Sequence, residues 1–364
     1  MVPGFYLRRW AEGDRIRVTE VEEGTSYETS PSKAARITDF YRLEADGLDS
    51  DEIPPLLFET LLSEVEAWGK AVMDELVTQP RTLDPDHMAK FAWFLGFQFT
   101  RGAAQRAELR TMANELFKAQ YEDLSDEGIR RQLGRRGVKA TPDMIRESRR
   151  LLDEVREGAV IVAPQDAALV GYAAQAAAVV GEYFLYRAWI VCQTSRILVT
   201  CDEPIVPVGG PGFPRGERAG VATAGVILFP LSPQHILVMM RDDLAAAHGI
   251  YAHRSGEILS DVLDHVETAE VCREVVMNAH RWAFERPSKR VACQFQIPAA
   301  PEAAVTEEIG QVNDGNKDGV LIRAFRPSRW KNRVGLSPWP VARWWQPDVD
   351  FRNTGGLAPS GTIA

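Results

Sequence analysis

Cysteine is scarce: the 364 residues contain four, Cys192, Cys201, Cys272 and Cys293. They form no Cys-x-x-Cys pair and have no histidine at metal-ligand spacing, which argues against a zinc site and a disulfide framework. Reduced thiols in a cytoplasm are the expectation. The GxSxG, Walker-type, Rossmann-type and HExxH signatures are also missing. Gly209-Gly210-Pro211-Gly212 lacks the strand-to-helix setting and trailing Lys-Ser/Thr of a phosphate loop, so the common nucleotide enzymes are disfavoured. Long apolar runs are absent as well. The most apolar stretch, from Ala167 to Gly181, is shorter than the ~20 residues that span a bilayer and contains Gln175, so it reads as a buried helix and no membrane partner is expected. Nor does an apolar stretch follow Arg8-Arg9 to make a signal peptide. Positive charge is in deficit: a net charge of -9 repels a phosphate backbone, leaving nucleic acid only a local basic patch.

What is present is the composition of a folded chain. Apolar residues make up 45% and charged residues 26%, ample for a core and far from the signature of disorder, which is expected at the ends alone. Alternation over Arg15 to Thr19 predicts a short strand or hairpin. Leu57, Leu61, Val65, Trp68, Val72 and Leu76 recur at helical spacing. Asp84 and Pro85 form an N-cap and first-turn pair before a strongly apolar helix from Met88 to Thr100. Helical patterns continue over Glu108–Gln120 and Asp126–Glu157, with breaks near Gly134, Gly137 and Thr141-Pro142. Four strands, Trp189–Thr194, Ile197–Cys201, Val226–Leu231 and Ile236–Met240, are expected to pair as one antiparallel sheet. The Gly- and Pro-dense stretch from Gly209 to Gly220 reads as an irregular loop, and Asp261–Phe284 as helix. The resulting fold class is α+β: a mostly helical array with a small antiparallel four-strand sheet. Residues 1–287 form one domain, and 288–364 a Trp- and Arg-rich extension that ends in disorder.

Several segments carry a family resemblance in their order along the chain: Val2-Pro3-Gly4-Phe5-Tyr6-Leu7-Arg8-Arg9-Trp10, Thr38-Asp39-Phe40-Tyr41, Glu59 through Glu66, Gln98 through Arg106, Thr200-Cys201-Asp202-Glu203-Pro204, Pro230-Leu231-Ser232-Pro233 and Asn278 through Phe284. Together they resemble the bacterial proteins grouped as domain of unknown function 4238, over roughly residues 2 to 285. The resemblance implies no activity. Family members usually follow Gln-x-x-Arg with Thr-Pro, where this chain has Gly102-Ala103.

Candidate chemistry collects in a few places. Glu59 and Glu66, seven residues apart, point the same way from one helix and suit acid/base or metal-binding work; a solvated stripe is the competing reading. Gln98, Arg101 and Gln105, with Arg106, emerge from a buried helix as planar donors for a phosphate or carboxylate. The competing reading is an arginine bonded to helix-end carbonyls. Asp202 ends a strand as a candidate acid, with Thr200 on the same face, although an Asx-type turn also explains it. Asn278 and Arg281 share a helix face and are candidate ligand-binding groups. His248 and His253 lack further ligands, so no metal is predicted from histidines, and no motif names a cofactor. Two basic regions, one from Arg130 to Lys139 and one interleaving Arg323 to Arg343 with Trp330, Trp339, Trp344 and Trp345, suit single-stranded nucleic acid or, alternatively, a solvated face and a packed tail.

Two functions follow. One is an intracellular enzyme, hydrolytic with Asp202 and Glu59 or Glu66 as its acid/base or metal-binding groups, with Gln98 and Arg101 positioning a phosphate-bearing or nucleic-acid substrate. The other is a non-catalytic binding or interaction protein using the helical array and the Trp-rich tail. In either case Arg101 is expected to be buried and paired with a carboxylate, Asp202 or Glu66, because a charge following an apolar helix cannot stay unpaired.

Overall fold

The computed structural model describes residues 2–34, 57–79, 82–121, 124–162, 166–210, 213–214, 216–250, 257–299, 305–313, 318–325 and 327–329. The chain opens on one helical turn, α1 (Gly4–Leu7), and a 3-10 turn at Arg8–Trp10, then the strands β1 (Ile16–Glu20) and β2 (Ser26–Thr29). Helices α2 (Leu57–Thr78), α3 (Pro85–Thr100), α4 (Ala103–Tyr121), α5 (Asp126–Arg135), α6 (Pro142–Arg156) and α7 (Asp166–Leu185) follow. Strands β3 (Arg187–Thr194), β4 (Thr200–Cys201), β5 (Val206–Val208), β6 (Val226–Ser232) and β7 (His235–Arg241) come next. Then come α8 (Asp242–Ala247), β8 (Leu259–Leu263), α9 (His265–Asn278), β9 (Trp282–Glu285), and a hairpin of β10 (Val305–Asn313) and β11 (Asp318–Phe325).

Helix starts follow local chemistry. Asp84, Ser125 and Thr141 each accept a hydrogen bond from a first-turn N–H, with Pro85 and Pro142 at the first helical position. Asp264 and Glu267 make a reciprocal capping box at the start of α9, satisfying N–H groups that have no partner within the helix.

The strands do not form the single antiparallel set that the sequence suggests. β3, β6 and β7 belong to a five-stranded sheet of order β5-β6-β7-β3-β8, in which β8 runs parallel to β3. β4 instead joins a four-stranded antiparallel sheet of order β2-β1-β9-β4. The turn at Ser195-Arg196 therefore carries the chain from one sheet to another rather than closing a hairpin. The expected helix over Asp261–Phe284 is in fact β8, α9 and β9; Asp264 stops the strand by capping the helix. Beyond Pro287 the β10–β11 pair adds a hairpin that the sequence reading lacked.

Alternation along β3 explains its nearly all-apolar sequence. Trp189 and Val191 face one core, with Phe229 and Met239 of the neighbouring strands and with α2, α3 and α7. Ala188, Ile190 and Cys192 face a second core, with Leu228, Val238 and residues of α9. Both faces of the sheet are covered, so its strands read as continuous hydrophobic runs. On the first face α3 and α7 approach closely: a Cβ added at Gly96 would collide with the carbonyl oxygen of Ala177, and Gly181 lies against the backbone at Ala92. The Thr100 hydroxyl bridges the same crossing by donating to the carbonyls of Gly96 and Ala173, 3.0 Å each. Among the described side chains α7 is buried along a stripe that includes Leu169, Ala173, Ala177 and Phe184, while Tyr172, Val179 and Tyr183 are exposed. Among the described residues no helix is long and apolar enough to cross a membrane.

Candidate functional site

α3 ends at Thr100, and Arg101 and Gly102 form the corner into α4. The Arg101 side chain is 3% exposed, and its Nη1 donates to Glu66 Oε1 of α2 at 3.0 Å; Glu66 remains 30% exposed. The buried, paired Arg101 matches the expectation from sequence, with Glu66 as the partner. Three buried polar atoms in this region, Arg101 Nε, Gln98 Oε1 and Arg106 Nε, make no hydrogen bond among the described residues. Arg106, in the first turn of α4, is also buried. The side chain of Glu59 lies outside the described residues, as do the Trp-rich segment 330–345 and the side chain of Arg323.

The carboxylate that reaches this corner from the sheet is Glu203, the neighbour of Asp202. Glu203 Oε1 accepts from the Ala104 backbone N–H at 2.7 Å, and Oε2 accepts from Arg218 Nη2 at 2.7 Å. It is 7% exposed. A negative charge at a helix start interacts favourably with the helix dipole and fills an open donor. A Cβ on Gly102 would stand 3.2 Å from Glu203 Oε1, so the departure from the family's Thr-Pro falls where this carboxylate needs room. Burial acts to lower the Arg218 pKa, but the charges of Glu203 and Glu108 outweigh it and hold the guanidinium above its ordinary value. Sequence reasoning passed over both residues. Asp202 and Glu203 share a bend just past β4, so choosing Glu203 over Asp202 required knowing where α4 begins, and Arg218 lies in a loop without periodicity.

The other candidates organise the body. Asp202 accepts from the backbone N–H groups of His280 (2.8 Å), Arg281 (2.9 Å) and Trp282 (3.1 Å), clamping the turn between α9 and β9. Burial raises its pKa, Glu203's charge adds to this, and the amide bonds oppose it. Arg329 also holds this turn, donating to the carbonyls of Ala279 and His280. Thr200 is fully buried, with its hydroxyl 2.7 Å from that of Tyr6, which also donates to the Pro230 carbonyl. Asn278 Nδ2 donates to the carbonyls of Glu203 and Ile205. Arg281 pairs with Glu20 at 2.6 Å. Thus Glu66, Gln98 and Arg101 lie along the α2–α3 side of one corner, whereas Asp202, Asn278 and Arg281 hold backbone or a surface acid around the α9–β9 turn. Among the described residues no group of three His, Cys, Asp or Glu side chains could hold a metal ion.

The model of the family described as "Protein of unknown function (DUF4238)" matches residues 1–289. The chain belongs to the DUF4238 family. A curated relative, the N-(5'-phosphoribosyl)anthranilate isomerase of Acinetobacter calcoaceticus, is 22% identical over 162 residues, covering 40% of this chain and 70% of the relative. So thin a likeness assigns no activity here. No solved structure matches.

Proposed function

We propose that this DUF4238 protein is an enzyme acting on a phosphate-bearing substrate at the corner between α3 and α4. Arg101 would hold the anion, Gln98 Oε1 would accept a hydrogen bond from a hydroxyl of the substrate and Glu66 would accept a proton. The observation that carries this reading is the unfinished hydrogen bonding around a buried charge. Arg101 uses Nη1 on Glu66 and leaves Nε unpaired, and Gln98, three residues before it, leaves Oε1 unpaired. Buried polar groups in a purely structural pair are normally satisfied. Glu66 reaches solvent from the front of the pair, so a substrate arriving there meets the carboxylate first and takes over part of its contact with the guanidinium. In a hydrolytic reaction Glu66 accepts the proton of the attacking water, and the departing alkoxide takes one from solvent. Asp202 takes no part in this step, being engaged by the backbone of the α9–β9 turn.

The test is turnover of a panel of phosphomonoesters and phosphodiesters by the full chain, beside inorganic phosphate binding by calorimetry. Glu66→Gln is expected to keep phosphate binding and lose turnover. Arg101→Met, which keeps the buried volume, is expected to lose both with an unchanged circular dichroism spectrum. Absence of both binding and turnover in the unsubstituted protein would remove the reading.

A second reading, a non-catalytic binding protein, is favoured by α4–α6 and the segment that follows them, where Leu116, Leu151 and Ile161 are exposed at 55%, 44% and 71%. A defined oligomer or complex that dissolves on Leu151→Asp would support it.

A further inference from the structure

Helices α4, α5 and α6, with residues 158–162, enclose a groove of ≈ 400 Å³ far from the corner. Thirteen residues of α4 separate Ala104 from Phe117, about 20 Å at the helical rise. Phe117, Tyr121, Ile129, Leu133, Leu152 and Val155 supply the apolar lining, and its polar members are Gln132, Arg136 and Ser148. Among the described residues no acidic side chain lines it. Gln132 and Arg136, the latter the C-cap residue of α5, lie four residues apart, about one helical turn.

Several charges around this groove are matched, and Arg131 and Arg135, which have no ion pair among the described residues, do not line it. Arg130 pairs with Glu127, Arg149 with Asp126, Arg150 with Glu147 and Glu154, and Arg156 with Asp153. Arg136 has no ion pair among the described residues, although it stands at the lip of the groove. The groove thus combines an apolar cavity of the size that takes small molecules, about 300–1,000 Å³, with one uncommitted cation and an amide beside it.

We propose that this groove is a binding site for a small amphipathic carboxylate, with an apolar chain among Phe117, Leu133, Leu152 and Val155 and a carboxylate on Arg136 and Gln132. A neutral molecule of the same shape leaves the guanidinium unused. A dianion leaves a charge uncompensated against an apolar wall. An apolar helix from a second copy fills the cavity but gives Arg136 no partner. The proposal does not depend on the corner site, and Arg101→Met leaves it untouched.

The probe is decanoate below its micelle concentration, titrated into the full chain by calorimetry beside decanol and acetate. Saturable binding of one decanoate is expected, with decanol and acetate each at least about tenfold weaker, since charge-assisted hydrogen bonds and apolar burial both contribute. Arg136→Ala is expected to weaken decanoate about tenfold, the loss of one such contact. Ser148→Trp, which places an indole in the cavity, is expected to abolish binding. Val160→Trp at the rim provides an independent block if Ser148→Trp lowers the melting temperature of the free protein. The proposal is overturned if decanoate does not bind, if decanol binds equally well, or if binding ignores Arg136→Ala and both tryptophan substitutions. It is overturned equally if light scattering finds a dimer that Ser148→Trp converts to monomer, because a second copy then covers the groove.

Discussion

Around the two main sheets, polar side chains hold distant parts of the chain together: Tyr6 reaches Thr200 and Pro230, Asn278 reaches the backbone after β4, and Asp202 gathers three amides from the α9–β9 turn. In α5 and α6 most ion pairs are local, three or four residues apart on one helix and exposed. Such pairs contribute little to stability. The body therefore depends on long-range contacts for its shape, while the helical array keeps apolar surface and a groove open. Features of the first kind stabilise the fold, and features of the second kind are available to a ligand.

The largest expected effect that sharpens this contrast is in the body. Phe91 is fully buried against Phe94, Trp189 and Phe229, joining α3 to the sheet. Phe91→Ala is expected to cost about 3–5 kcal/mol in urea unfolding, from lost transfer energy and the cavity left behind. A loss near zero would mean that the sheet face is not a packed core.

Next in size is Asp202→Ala, which strips three N–H groups of their acceptor. About 1–3 kcal/mol is expected, with faster amide exchange at 280–282 while α4–α6 exchange as before. Exchange that rises equally in the array would break the division between the regions.

A smaller effect follows from Glu285, fully buried in β9, whose carboxylate accepts from the N–H groups of Val291 and Ala292. Burial raises its pKa, and these amides only partly offset that. The folded chain thus holds this proton more tightly than the unfolded chain. Stability from the group is present below the unfolded value, about 4.3, and is lost as pH rises through the raised folded value. Glu285→Gln cannot titrate, so its stability relative to the unsubstituted protein is expected to improve as pH rises from about 4. A difference that is flat with pH would contradict the raised pKa.

These regions were unequally legible in the sequence. α2 and α3 were plain from the spacing of Leu57 to Leu76 and from Asp84-Pro85, because caps and periodicity are local. The breaks at Gly137 and Thr141 likewise marked α5 and α6. Sheet membership was not local: β4 looks like a partner for β3, but Thr200 and Cys201 pair with β9, some 80 residues later in the chain. The buried pairing of Arg101 was legible because an arginine closing an apolar helix has few alternatives. Glu203 and Arg218 were not, since their partnership joins a strand end to a patternless loop across the start of a third element. The groove of α4–α6 escaped because each helix reads as ordinarily amphipathic, and only their mutual placement leaves a space.

The smallest expected effect tests the array itself. Leu151 is 44% exposed on α6 and lines the groove. If the groove is an open ligand site rather than a packed interior, Leu151→Ser removes little buried area and is expected to shift unfolding by no more than about 0.5 kcal/mol, as for a surface position. The same substitution places a hydroxyl where a decanoyl chain would lie, so it is expected to weaken decanoate while leaving the free protein's melting temperature unchanged. A stability loss comparable to that of Phe91→Ala would give the array a closed core of its own. An unchanged stability with unchanged decanoate binding would keep the array open but move the ligand away from α6.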